Sequence, residues 1–239
     1  MFKGSFLKSQ ILFLIFSFCI LYFYFPVGGK IDLLLIQPWV DATGHFPHRS
    51  DWLLTKINHG LVKNIIILIY VAIFSLWCAS FKVEKLKSHR FSLGYLFWIS
   101  IIAAGIIGFI KSQSPHACPW NMTQPTATGF VWDFSAKKGH CFPGGHAATG
   151  FMLMTGYFVY RLRNTKLAYL FLISGIVLGF IMGWGQMMRG AHFFSHNIWT
   201  FWIVWCANVV AYLVFSKKLS PFNRPLAPHS QPSKINTYI

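Results

Sequence analysis

The chain has 239 residues, of which 55% are hydrophobic and 11% charged, and its formal net charge is +16. A mean hydropathy of +0.51 excludes an ordinary water-soluble domain of this length and indicates an integral membrane protein. The basic residues flank apolar runs instead of forming one stripe, so we expect attraction to anionic membrane lipids and no nucleic-acid partner.

Six apolar runs follow one another, at residues 11–27, 65–81, 93–110, 147–160, 167–184 and 197–215. A helix needs about 20 residues to cross the hydrocarbon core of a bilayer, and the fourth run is the shortest. We predict an all-α membrane protein with six transmembrane helices and a helical-bundle core. The first run could instead be a secretory signal, but its YFYFPV end lacks a small-residue cleavage site, so we retain it as a helix. A buried, soluble helical bundle is the other alternative.

The distribution of Lys and Arg predicts the orientation. Densely basic segments lie at both termini and in loops 82–90 and 161–166, which the positive-inside rule places in the cytoplasm. One domain is predicted over residues 1–216, followed by a polar, proline-containing cytoplasmic tail at 217–239. The other loops then face outward. The first of them, residues 28–60, is interpreted as an interfacial loop; covering the site or gripping a lipid headgroup are alternatives.

Two histidine clusters lie in the outward loops, KKGHCFPGGH at residues 137–146 and GQMMRGAHFFSHNIW at 185–199. A site that cleaves a phosphate ester needs cations, donors to the phosphate oxygens, a nucleophile and a proton donor. Lys111, Lys137 and Lys138 offer cations, and the glycine-rich start of the fourth helix offers backbone N–H groups where the helix dipole is positive. Imidazole can attack phosphorus and donate a proton near neutral pH. The clusters therefore predict a phosphate site.

Two cysteines, Cys118 and Cys141, lie in the outward loop before the fourth run. An oxidising compartment would allow them to pair and to fix that loop, which we state as a hypothesis. Cys19, Cys78 and Cys206 lie within apolar runs, where a free thiol packs as a small hydrophobic group.

Three short blocks stand at the ends of the later runs. They read Lys111, six residues and Cys118-Pro119; then Pro143-Gly144-Gly145-His146; then Gly185-Gln186, five residues, His192, three residues and His196. Their order and spacing resemble the type 2 phosphatidate phosphatase superfamily, relatives of the vanadium haloperoxidases. The family pattern is Lys, six residues and Arg-Pro; Pro-Ser-Gly-His; and Ser-Arg, five residues, His, three residues and Asp. The resemblance covers residues 93–205 and implies a phosphatase.

The resemblance implies a role for each position. His192 would attack phosphorus and form a phosphohistidine intermediate, His146 would protonate the leaving oxygen, and no metal or cofactor would be required. The predicted phosphate-binding set is Lys111, Arg189, Gly144, Gly145 and Gln186. Cys118 and Gln186 occupy positions of two family arginines. Arg189 is expected to replace one of them, because it would share a face with the histidines if residues 186–196 are helical.

The family's Asp, which orients the nucleophilic histidine, is His196 in this chain. A neutral imidazole can accept the proton of His192 and fix its tautomer, although it stabilises an imidazolium less than a carboxylate does. Asp133 is an alternative source of the carboxylate. The predicted catalytic residues are therefore His192, His146 and His196.

The residues found in the three blocks resemble those of a bacterial branch of this superfamily. This resemblance predicts a site at the periplasmic face of the inner membrane and a phosphorylated lipid as substrate. Lipid A 1-phosphate is the first choice, with undecaprenyl diphosphate and phosphatidylglycerophosphate as alternatives. A lipid-to-lipid phosphotransferase would use the same residues. Two further alternatives are a lipid-binding or transport protein and a metal site of His192 and His196 with His146 or His140, although the Glu of the usual zinc motif is absent.

Overall fold

The computed structural model describes residues 2–136 and 139–222. Lys137 and Lys138, two cations of the first histidine cluster, and residues 223–239 of the predicted tail lie outside the described residues. The helices are α1 (Phe2–Tyr24), α2 (Lys30–Ile36), α3 (Lys63–Ala79), α4 (Glu84–Lys87), α5 (Arg90–Gln113), α6 (Gly145–Phe151), α7 (Thr155–Tyr160), α8 (Thr165–Met188) and α9 (Phe194–Phe222). A π-helix, Leu53–Val62, leads directly into α3.

Within the described residues, five helical segments are long and apolar enough to cross a membrane, namely Ser5–Tyr24, Leu53–Ala79, Arg90–Gln113, Thr165–Met188 and Phe194–Leu219. They match five of the six predicted runs. Their outer faces carry large exposed apolar side chains, such as Phe16, Leu68 and Ile173. Apolar surfaces of this extent are suited to lipid and not to water, which agrees with a membrane protein.

Six spans are not confirmed, because the fourth predicted run forms a short and interrupted helix. α6 and α7 are joined by a 3₁₀ turn, Met152–Met154, and together they cover residues 145–160, fewer than the about 20 that a span needs. The segment lies in the centre of the bundle, where Phe151, Met154 and Phe158 are buried. Gly150 and Gly179 allow the backbones of α6 and α8 to touch.

This central segment nevertheless connects the two ends of the bundle. At its start, the Gly144 N–H donates to the His196 carbonyl at the beginning of α9 (3.3 Å). Just beyond its end, Arg161 donates to the Tyr212 hydroxyl near the end of α9 (3.1 Å). The chain therefore passes through the bundle between Gly144 and Arg161, enclosed by α5, α8 and α9.

A two-stranded hairpin departs from the all-α expectation. β1 (Thr123–Thr126) pairs antiparallel with β2 (Gly129–Trp132). Threonine, valine and aromatic residues in these segments favour extended backbone, and Gly129 at the turn has φ +146°, a value that suits glycine. The hairpin lies in the loop between α5 and α6.

The last helix runs beyond the predicted domain boundary at residue 216. α9 continues to Phe222, and Leu219 on the added turn is buried in the main hydrophobic core. Burial of this side chain favours continued helix in a segment that we had predicted as tail.

Loops 28–60 and 114–144 pack together over the end of the bundle that carries the histidines, here called the histidine end. Their shared core consists of Ile36, Val40, Phe46, Ala117, Met122, Met187 and Phe193. Cys118 and Cys141 form a disulfide with a Cα–Cα distance of 5.1 Å, which confirms the hypothesis that they pair. The histidine end is thus covered by two packed loops, one of which carries an internal crosslink.

Replacing both Cys118 and Cys141 by Ser should lower the free energy of unfolding by about 3 kcal/mol. The crosslink joins positions 23 residues apart and restricts the unfolded chain, so its removal favours unfolding. Thermal unfolding of the detergent-purified protein measures the change. Reductant during unfolding should lower the wild-type midpoint toward that of the double variant; equal midpoints of the oxidised wild type and the variant would contradict the expectation.

Candidate functional site

α8 ends at a glycine just before the histidines. Gly190 has φ +75° and donates its N–H to the Met187 carbonyl (2.9 Å), an arrangement typical of helix C-termini. A Cβ at Gly190 would lie 2.5 Å from the Phe46 ring. Residues 186–196 are therefore not one helix, and the predicted common face of Arg189 and the histidines is wrong.

His192 and His196 lie side by side across the start of α9. Their Nδ1 atoms are 3.2 Å apart, and their side chains are 4% and 0% exposed. A hydrogen bond at this distance requires one Nδ1 to donate and the other to accept. The two imidazoles therefore form a buried, hydrogen-bonded pair.

The surroundings of His192 favour its neutral form. Burial lowers the pKa of its imidazole well below the ordinary value of 6.5. Positive charge on the neighbouring Lys111 and His146 acts in the same direction. A neutral imidazole has a free lone pair at neutral pH, as a nucleophile requires.

α5 and α6 supply the other half of the site. Lys111 lies on the last turn of α5, and its Cδ is 3.9 Å from the place that a Cβ at Gly145 would take. His146 follows on the first turn of α6 and is half-buried. The residues of the three sequence blocks thus converge at the histidine end.

Gly144 is engaged within the protein. Its N–H donates to the Thr200 hydroxyl (2.8 Å), and a Cβ would lie 2.8 Å from Asn197 Oδ1, which explains glycine where the family pattern has serine. The N–H of Gly144 is therefore occupied, and it is not the free phosphate donor that the sequence predicts. The N–H of Gly145, at the first position of α6, has no intrahelical acceptor.

Arg189 and Gln186 contact each other and the first loop. Arg189 Nη1 donates to Gln186 Oε1 (3.2 Å), and Nε donates to the Arg49 carbonyl (2.9 Å). Gln186 is 2% exposed, and its Nε2 has no hydrogen-bond partner within residues 2–136 and 139–222. The Arg189 side chain is thus directed toward loop 28–60.

The two alternatives for orienting His192 differ in position. The Asp133 carboxylate accepts from the Ser135 N–H (2.9 Å) and hydroxyl (2.6 Å), and these bonds lower its pKa. It is engaged beside the hairpin, whereas His196 contacts His192 directly. The contacts therefore favour His196 over Asp133.

Sequence reasoning missed Asp32, a buried carboxylate on α2. Its oxygens accept from the Ser195 hydroxyl (2.5 Å), the Ser195 N–H (2.7 Å) and the Gly28 N–H (2.9 Å). Burial raises its pKa, whereas these hydrogen bonds lower it. Asp32 thus holds the N-terminus of α9, where a negative charge is favourable. Its partner Ser195 lies between His192 and His196 in sequence. An acid among apolar residues (GKIDLLLI) was the available signal.

An apolar cavity of about 690 Å³ lies beside the histidine pair. Its walls come from α1, α5, α9 and the loop before α6, and include Ile110, His116, Phe142, Trp199 and Ile203. The Phe142 ring is 5.5 Å from the His196 ring and 5.6 Å from that of His116. Phe142 therefore connects the cavity wall with the histidine pair.

The alternative metal site is not assembled in the part of the chain that the structure describes. No group of three or more His, Cys, Asp or Glu side chains there is arranged to hold a metal ion. His140, one of the proposed ligands, instead pairs through Nδ1 with the Ser114 carbonyl (2.8 Å).

These features define a helical membrane bundle with a buried histidine pair, a lysine and a third histidine at one end. A family model described as the PAP2 superfamily matches residues 92–220, more than half of the chain and all three sequence blocks. The chain belongs to the PAP2 superfamily, whose members are phosphatases. Searches of curated proteins and of solved structures found no match.

Proposed function

We propose that this chain is a membrane lipid phosphatase that works through a phosphohistidine on His192. The observation that carries the proposal is the buried His192–His196 pair, with Lys111 and His146 beside it. Membership of a phosphatase superfamily supports hydrolysis of a phosphoester.

In the first step, Nε2 of His192 attacks phosphorus, since its Nδ1 faces His196. The N–P bond forms as the P–O bond to the lipid breaks, and the leaving oxygen takes a proton from His146, which starts as an imidazolium. Lys111 and the Gly145 N–H offset negative charge on the phosphoryl oxygens. A lipid monophosphate leaves with a hydroxyl group in place of its phosphate ester, whereas a lipid diphosphate attacked at its terminal phosphorus leaves as the lipid monophosphate.

In the second step, neutral His146 takes a proton from a water molecule as that water attacks the phosphohistidine. The N–P bond breaks, and inorganic phosphate and neutral His192 are produced. His196 accepts the Nδ1 proton of His192 in their hydrogen bond and so keeps Nε2 available in each cycle. The reaction needs no metal ion.

The cavity beside the histidine pair supports a lipid substrate. Its walls are largely apolar and aromatic, as an alkyl chain requires, and Phe142 lies between it and His196. A chain seated there would place its phosphate near His192.

We further propose a six-span protein in a bacterial inner membrane, with cytoplasmic termini and the histidine end at the periplasmic face. The basic loops at the opposite end, residues 82–90 and 161–166, support this orientation. Arg161 of the second loop lies 3.3 Å from the Phe6 ring centroid near the start of α1. The substrate is then an outer-leaflet lipid. The candidates are lipid A 1-phosphate, undecaprenyl diphosphate and phosphatidylglycerophosphate.

Phosphate release by the purified protein from these three lipids and phosphatidate tests the proposal. We expect release from at least one lipid, resistance to EDTA and loss of release in His192→Ala. EDTA-sensitive release would contradict the histidine mechanism. Transfer of phosphate to a second lipid without release would identify a phosphotransferase, and binding without either reaction would identify a lipid-binding protein.

Asp32→Asn should lower both stability and turnover. A neutral amide accepts weaker hydrogen bonds from Ser195 than a carboxylate does, so we expect a loss of about 2 kcal/mol in stability. The turn that carries the histidines would lose its anchor, and kcat should fall about tenfold or more. Thermal unfolding and phosphate release measure the two effects.

Two variants make this comparison specific. Ser195→Ala removes one of the donors to Asp32 and should have a smaller effect on both quantities. Asp133→Asn changes another carboxylate of the histidine end and should keep wild-type turnover. Wild-type turnover in Asp32→Asn would show that Asp32 does not hold the turn.

A further inference from the structure

Two arginines from positions 140 residues apart, Arg49 and Arg189, contact each other at the histidine end. Arg189 Nε donates to the Arg49 carbonyl (2.9 Å). The Arg49 guanidinium lies over the Trp120 ring, 4.4 Å from its centroid. The Trp120 N–H donates to the Gly190 carbonyl (2.9 Å), next to Arg189. Loop 28–60, the loop after α5 and the end of α8 therefore converge here.

Arg49 and Arg189 lie close to the two positions at which the family pattern has arginine and this chain does not. Trp120 follows closely after Cys118, the position of the first missing arginine. Gln186, the position of the second, accepts a hydrogen bond from Arg189 (3.2 Å). Arg49 and Arg189 thus bring guanidinium groups to this region from other positions in the chain.

The acidic residues nearby are committed to other donors. Asp41 accepts from Thr43 and His45, Asp51 from the Leu54 N–H, and Asp133 from Ser135. Neither guanidinium has a carboxylate partner in the described part of the chain. Burial lowers the pKa of Arg189, and the charge of Arg49 acts in the same direction. Two like charges held together without a counter-charge would be stabilised by a bound anion.

A buried donor points to the same ligand chemistry. The side-chain amide of Gln186 is 2% exposed, and its Nε2 has no acceptor among the residues described. An unmatched buried donor costs free energy. A phosphate oxygen bound by Arg189 could satisfy it, because Arg189 contacts the other end of the same amide.

We propose that Arg49 and Arg189, with Gln186, form a second anion site that binds a phosphate group other than the one attacked by His192. The inference rests on the proposed function and specifies the substrate class as a lipid diphosphate. Lys111 and His146 act on the phosphate group that His192 attacks, whereas Arg189 is held toward loop 28–60 by its two hydrogen bonds. Guanidinium groups suit a neighbouring phosphate because they donate in a planar fork.

The test compares an alkyl diphosphate with the alkyl monophosphate of the same chain length, in detergent. Arg49→Gln should reduce the ratio of kcat/KM for the diphosphate to that for the monophosphate at least tenfold, and Arg49→Lys should reduce it less. Lys56→Gln removes an exposed positive charge from the π-helical part of the same loop and should leave the ratio at the wild-type value. Thermal unfolding verifies that each variant is folded.

A binding measurement separates this proposal from the proposed function. Methylenediphosphonate, which is not hydrolysed, should bind the wild type at least tenfold more tightly than Arg49→Gln, with a smaller change for inorganic phosphate. Such binding without any turnover would contradict the proposed phosphatase activity but support the second anion site. Equal losses for both probes, or no loss, would overturn the second site while turnover stands. If Arg49→Gln lost affinity only for vesicles that contain phosphatidylglycerol, the arginines would bind lipid headgroups, and this result would also contradict the second anion site.

Discussion

Replacing His192 by Ala is expected to lower phosphate release on the order of 10⁴-fold or more, because no other group can take over a covalent step. His192 is the histidine whose Nδ1 is fixed by a second buried imidazole at 3.2 Å. It is 4% exposed, so the substitution also leaves a small cavity. The rate of phosphate release at saturating lipid measures the effect.

The controls distinguish lost chemistry from lost structure. His192→Gln keeps polarity and most of the volume but cannot form a phosphohistidine, so it should be as inactive as His192→Ala. His45→Ala changes an exposed histidine of loop 28–60 and should retain activity. Because burial holds the pKa of His192 below 6.5, loss of activity through its protonation should begin only below that pH. An active His192→Ala protein would overturn the mechanism.

His146→Ala should lower turnover of an alkyl phosphate by about 10²- to 10⁴-fold, the range expected for loss of a general acid and base. An alkoxide is a poor leaving group and needs the proton of His146. p-Nitrophenolate leaves without a proton, so its first release should fall by about tenfold or less. Rapid mixing with p-nitrophenyl phosphate should therefore give a burst followed by slow turnover.

The burst identifies the role of His146 in both steps. Formation of the phosphohistidine no longer needs the acid, whereas its hydrolysis still needs the base, and the intermediate accumulates. Equal losses for the alkyl and p-nitrophenyl substrates, without a burst, would show that His146 acts in another way.

The long spans could be predicted because hydrophobicity alone determines them. Five of six runs formed helices suited to a membrane, whereas residues 147–160 did not form one of sufficient length. Hydropathy cannot distinguish a lipid-facing helix from one enclosed by other helices. The contact between Gly150 and Gly179 that encloses α6 depends on tertiary packing, which no local pattern reports.

The convergence of His192, His146 and Lys111 could be predicted because the three blocks have the order and spacing of the family pattern. The contact between His192 and His196 is a local i, i+4 pair, so the sequence could also predict it. The common face of Arg189 and the histidines does not form, because Gly190 ends α8 and turns the chain.

The contacts of Asp32 and Arg49 with the histidine end were not predicted, for a related reason. Asp32 meets Ser195 across 163 residues, and Arg49 meets Arg189 across 140. Both lie in the first loop, whose packing onto the histidine end follows from apolar residues scattered through three loops. Such long-range contacts leave no periodic signal in a single sequence.

The most direct test of the central claim is to locate the phosphoryl group on the protein. His146→Ala protein, quenched at alkaline pH after mixing with p-nitrophenyl phosphate, would be digested and its peptides examined by mass spectrometry. We predict phosphate on His192, in an amount equal to the burst, and none in the His146→Ala, His192→Ala double variant. A burst without a phosphorylated residue, or with phosphate on a different side chain, would contradict the account.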